Sequence, residues 1–274
     1  MKLTIKRSKG IYYKLNDDGS WEPVDLTLTS DREIKWKKEI ENNGGHRVPL
    51  PSYTLADELW NSISHGLGAL FGIFVLIIAV FLSAERLGSP DFGYYLASAI
   101  VYGVSLMVLF TISCIYHALA PNRGKRVLRV LDHDMVFLLV AGTYTPICLT
   151  VLRDVNLWGV IPHAGWIIFT IVWTCVIVGI VFNSISLEHY KVLSMSLYIA
   201  AGWTIILACY ELGTSSFGWA NFWWLLGGGL LYTLGSILYK VGAKKSWMHC
   251  VFHFFVLFAA IFQFISIYFG IFAL

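Results

Sequence analysis

His117 closes a long apolar run, in Ser113-Cys-Ile-Tyr-His117, and His249 and His253 open the last one, in His249-Cys-Val-Phe-His253. Residues four apart share a helix face. His249 and His253 can therefore grip one ion together, and Ser113 lies one turn from His117. Three neutral imidazoles around one ion leave a fourth position open, which is the ligand set of catalytic zinc. Iron and manganese share parts of that set, but three nitrogens plus water suit zinc best. Zinc held by three protein ligands brings the pKa of a bound water to about 7. Asp132, at the start of the next apolar run, could take that water's proton, and Ser113 could orient the carboxylate or the water. His117, His249 and His253 are thus the candidate metal ligands, and Asp132 and Ser113 the candidate catalytic pair. His249-Cys-Val-Phe-His253 lacks the glutamate of His-Glu-x-x-His metalloproteases, so a zincin is not supported.

These residues can meet only if the elements bring them together. The chain has 274 residues, 57% hydrophobic and 14% charged, against roughly 25% charged in a soluble domain. An integral membrane protein follows, and a nucleic-acid partner does not. From residue 55 onward seven apolar runs approach the ~20 residues that a spanning helix needs: 62–83, 94–119, 133–152, 164–184, 191–211, 217–240 and 248–272. Helices are required, because an open strand edge cannot be satisfied in lipid. Trp60, Trp158, Trp166, Trp219 and Trp247 fall near run ends, where interfacial anchors belong.

Eighteen of the 20 Lys and Arg lie in the amino-terminal region and the even-numbered loops; only Arg86 and Arg153 lie on the other side. The positive-inside rule then puts the amino terminus in the cytoplasm and the carboxyl terminus outside. On that topology the second run ends, and the third and seventh begin, at the cytoplasmic face. His117, Asp132, His249 and His253 share one depth, and the histidines played no part in that count. The bland alternative, three separate interfacial histidines, leaves this coincidence unexplained. A metal also removes the cost of burying polar imidazoles at the membrane edge.

The remaining signals are weaker. Glu58, Asn61 and His65 share a face at the start of the first run. They read either as helix capping and packing, with Asp57 and Glu58 at a helix N-terminus, or as a second layer around the site. Asp134 competes with Asp132 for the carboxylate role, and His133 flanks both. His163 and His189 read as interfacial. Gly142-Thr-Tyr-Thr-Pro146 reads as a kink, and Gly227-Gly-Gly229 as a close helix approach. Cys114, Cys148, Cys175, Cys209 and Cys250 read as small packing residues. Residues 1–54 form a polar extension without a cleavable signal peptide. They suggest a small hairpin around Asn16-Asp-Asp-Gly-Ser20, then a charged helix near Asp31–Glu41.

Taken in order, Glu58-x2-Asn61-x3-His65, Ser113-x3-His117, Leu131-Asp132-His133, Ala141-Gly-Thr-Tyr-Thr-Pro146 and His249-x3-His253 resemble the hemolysin III family. That family stands among the progestin and adipoQ receptors, which include the adiponectin receptors. The resemblance covers residues 55–274. It implies an all-α, polytopic seven-helix bundle with zinc near the cytoplasmic face, held by His117, His249 and His253. Asp132 would interact with the zinc-bound water and Ser113 would line the site. Relatives linked to hydrolysis of lipid amides imply a ceramidase-like enzyme with a membrane lipid as substrate. The alternatives are a non-enzymatic sensor or fluidity regulator with structural zinc and, as the family name suggests, a cytolysin. The implied location is the bacterial plasma membrane. The 1–54 extension is longer than a bacterial member is expected to carry.

Overall fold

The computed structural model describes residues 5–8, 11–15, 20–24, 50–51, 53–242 and 247–274. Among the described residues, seven helices are long and apolar enough to cross a membrane: α1 (Leu55–Ala84), α2 (Phe92–Ala118), α3 (Arg123–Val151), α4 (Ala164–Ile185), α5 (Lys191–Thr214), α6 (Gly218–Lys240) and α7 (Met248–Phe272). From Leu55 onward the protein is an all-helical, multi-pass membrane bundle. Sequential helices pack side by side, and α7 closes the ring against α1. Ahead of the bundle, β1 (Ile5–Ser8), β2 (Ile11–Leu15) and β3 (Trp21–Val24) form an antiparallel meander, with Ser8 opposite Ile11 and Leu15 opposite Trp21. The expected hairpin is there with a third strand added. The charged helix expected near 31–41 lies outside the described residues.

The helices read inside out, as lipid demands. On α1, Asn61, Ser64, His65, Gly68 and Gly72 are buried, while Leu59, Ile63, Leu67, Leu70 and Phe74 are exposed. Polar and small residues face the bundle because apolar ones lose nothing by facing lipid tails. Close approach follows from the small ones. A Cβ on Gly72 would meet the Met107 backbone nitrogen at 2.6 Å, and one on Gly103 would meet Leu76 Cα at 2.5 Å. The two glycines let α1 and α2 cross almost in backbone contact.

Two helices begin earlier than their apolar runs. α1 starts at Leu55, seven residues before the expected 62. Thr54 caps it: its hydroxyl accepts from the Asp57 amide, and the Asp57 carboxylate accepts from the Thr54 amide and hydroxyl. This capping box satisfies amides that would otherwise be unpaired. α3 starts at Arg123, ten residues before the expected 133. There the Asn122 side chain accepts from the Lys125 amide at 2.8 Å. Asp132 therefore sits inside α3, not at its start. Pro146 marks the expected irregularity. Regular α-helix ends there and a π turn, Ile147–Val151, completes the span. A 3-10 turn at Thr204–Ala208 similarly interrupts α5.

Candidate metal centre

α1 sits between α2 and α7 at the end of the bundle where α1, α3 and α7 begin and α2 ends. The polar residues gather there. His117 stands in the last turn of α2 and is 1% exposed. His249 and His253 occupy the first two turns of α7 at 8% and 1%. The Nε2 atoms of His249 and His253 are 3.0 Å apart. A ligand nitrogen from each of the three rings lies within 4.8 Å of the others.

The proton positions follow from the partners. His117 Nδ1 lies 2.5 Å from Glu58 Oε2. With Glu58 ionised against Lys125, its carboxylate offers only lone pairs, which assigns the proton to Nδ1. Asn61 Nδ2 also approaches Nδ1, at 3.5 Å, but a nitrogen that already carries a proton cannot accept from it. His117 Nε2 then bears a lone pair, is buried, and has no hydrogen-bond partner among the described residues. A buried acceptor with nothing to accept from calls for an explanation, and a cation facing the His249–His253 pair supplies one. Nitrogens on one tetrahedral zinc stand about 3.3 Å apart, from Zn–N distances of ~2.0–2.1 Å. The 3.0 Å pair is near that spacing. The residues fit a metal held by three imidazoles.

Glu58 divides its two oxygens. Oε2 takes His117, and Oε1 lies 2.9 Å from Lys125 Nζ, with both side chains almost fully buried. Lys125 Nζ also donates to the Leu119 carbonyl at 2.9 Å. Because Thr54 and Asp57 already cap α1, Glu58 is free to turn inward. Glu58 thus reaches His117 and Lys125, and the cap of α1 is left to Thr54 and Asp57.

Aromatic rings enclose the group. Tyr53 stacks on His249, with centroids 4.7 Å apart and planes at 24°. Burial pushes its phenol well above the usual range, so it stays neutral. Tyr239 packs on the same imidazole at 5.6 Å. His65 lies 3.8 Å, centroid to centroid, from His253, with both its own nitrogens buried and unpartnered. Tyr53 and Lys125 went unnoticed as site residues in the sequence. Both lie outside the apolar runs, and neither has a local spacing that ties it to a histidine.

The two catalytic candidates also come together. The Ser113 hydroxyl, buried on the His117 face of α2, lies beside the Asp132 carboxyl. Asp132 is half-buried and feels the charges of Arg129 and Lys125. It is not among the residues whose ligand atoms cluster within 4.8 Å. Asp134, two residues on and ~200° round the helix, faces α4 instead, where it accepts from Ser184 Oγ at 3.3 Å. His163 and His189 are exposed, as an interfacial position implies. The five cysteines are free thiols.

Residues 53–264, which hold every one of these groups, match the family model described as Haemolysin-III related. The chain belongs to the haemolysin III family. It is 32% identical over 205 residues to the Hemolysin-3 homolog of Bacillus subtilis (strain 168), covering 75% of this chain and 90% of that one. It is 34% identical over 201 residues to Hemolysin-3 of Bacillus cereus, covering 73% and 85%. More distantly, it is 22% identical over 243 residues to the monocyte to macrophage differentiation factor of Homo sapiens, covering 86% and 94%. The haemolysin III match begins at residue 53, so Tyr53 and the whole imidazole group fall inside it while the β1–β3 meander falls outside.

Proposed function

We propose that this haemolysin III protein is a zinc-dependent hydrolase of a membrane lipid, with an amide of the ceramide class as the favoured substrate. His117, His249 and His253 hold the ion, and the amino terminus faces the cytoplasm of a bacterial plasma membrane. The observation that carries the reading is the cluster of ligand atoms of His117, His249 and His253, with a buried His117 Nε2 that has no hydrogen-bond partner among the described residues. Zinc in an open three-imidazole site supplies Lewis acidity for a carbonyl and a water with a pKa near ~7. The chain supplies the rest. Asp132 removes a proton from the attacking water as the new C–O bond forms. It then delivers that proton to the amine nitrogen as the C–N bond breaks, leaving a carboxylic acid and an amine. Ser113 lines the site beside the Asp132 carboxyl. The burial of the imidazoles and the aromatic rings around them keep bulk water out.

A second reading has its own support. All three imidazoles are buried and Tyr53 lies flat against His249, as suits a structural zinc in a non-enzymatic sensor or fluidity regulator. A lipidomic comparison of membranes carrying wild-type or His117→Ala protein decides between them. Loss of one lipid class with gain of its hydrolysis products, seen only with the wild type, supports the hydrolase. Identical lipid profiles, with zinc present in the wild type, support the structural role.

A further inference from the structure

We propose that Glu58, itself held by Lys125, is the positioning residue that makes His117 a metal ligand. The inference rests on reading the three imidazoles as a metal centre. A histidine binds a metal through one nitrogen only if the other carries the proton, and a carboxylate on that second nitrogen fixes both the tautomer and the ring orientation. His117 has such a carboxylate in Glu58. His253 does not, since its Nδ1 is buried with no hydrogen-bond partner. His117 and His253 are therefore unequal, and the orientation of His117 is built in advance.

Lys125 completes the device. A carboxylate so deeply buried at the membrane edge is costly unless paired, and Lys125 Nζ supplies the countercharge at 2.9 Å. Lys125 is itself fixed twice, through its amide on the Asn122 side chain and through its ammonium on the Leu119 carbonyl. The chain of contacts runs from the α2–α3 turn, through Lys125 and Glu58 on α1, to His117 on α2. Lys125 reaches His117 by way of Glu58.

Zinc affinity, measured by chelator competition on the purified full-length chain, tests this. Thermal unfolding of the metal-free protein is followed in parallel. Glu58→Gln is expected to weaken zinc binding by about 10- to 100-fold. Gln keeps an oxygen for the His117 proton but loses the charge. Lys125→Met is expected to weaken it as well, and Glu58→Gln with Lys125→Met to weaken it no further than Glu58→Gln alone. A purely structural ion pair would lower the unfolding temperature and leave the affinity of the folded protein untouched, and that result overturns the inference. The wild type alone gives a second readout. Nitrogen NMR of the metal-free protein, with His117 assigned by its absence in His117→Gln, is expected to show the proton on Nδ1. A proton on Nε2 overturns the inference whatever the variants do. A wild type that binds zinc beside a Glu58→Gln chain that binds it equally tightly removes this inference alone. A wild type that takes up no zinc removes the metal-centre reading and this inference with it.

Discussion

His117 meets a carboxylate on Nδ1 and keeps a buried Nε2 with no hydrogen-bond partner among the described residues, and Asp132 is not among the residues whose ligand atoms cluster with it. The roles should separate on substitution. Asp132→Asn is expected to keep its zinc and lose turnover by about 100- to 10,000-fold, the range for a positioned general base. Zinc content and lipid hydrolysis, measured on the same preparation, check this. Full turnover by the variant would remove Asp132 as the base and leave the metal site standing. His117, His249, His253, Ser113 and Asp132 were legible in the sequence because four-residue spacing and helix ends constrain them. Glu58 was legible only as a choice between cap and second layer, because it neighbours Asp57 and either can serve a helix N-terminus. Thr54 settles the choice by pairing with Asp57. Lys125 counted in the sequence as one more positive charge on a loop. Its burial between α1 and α2 depends on contacts far apart in the chain, which no local pattern encodes.

At the scale of elements, the site depends on how closely α1 and α2 cross. Gly72 lies against the Met107 backbone, and Gly103 against Leu76. Gly72→Ala is expected to destabilise the bundle by about 1–3 kcal/mol, as overpacking does. It should also loosen zinc, because the same two helices carry Glu58 and His117. Thermal unfolding and chelator competition read the two effects. An unchanged unfolding temperature would show that the crossing is looser than described. Hydropathy located all seven spans, but it missed the starts of α1 and α3. Apolar runs stop where charge begins, whereas helical hydrogen bonding continues to the next cap, at Thr54 and Asn122. The Arg153 contacts show the same thing at the opposite end of the bundle. Its hydrogen bonds to Asp154 and Asp91 raise its pKa and link the α1–α2 and α3–α4 connections, a link invisible to periodicity.

The whole molecule is a membrane-spanning helix bundle with an appended extension. The distribution of Lys and Arg is expected to place the amino terminus in the cytoplasm. Tag accessibility in intact cells checks it, and an externally labelled amino terminus would sink the orientation. Every candidate ligand lies beyond residue 110, and the family match begins at residue 53. Removal of residues 1–49, which keeps the buried Leu50 and the stacking Tyr53, is expected to leave zinc in place. A folded truncation without zinc would give the extension a part in shaping the site. The central claim is that three imidazoles from two helices hold one metal ion. Elemental analysis of the purified protein tests it most directly, comparing the wild type with the His249→Ala, His253→Ala double variant. The account predicts about one zinc per wild-type chain and almost none in the double variant, since three protein ligands leave no redundancy. Full zinc occupancy in the folded double variant would contradict it.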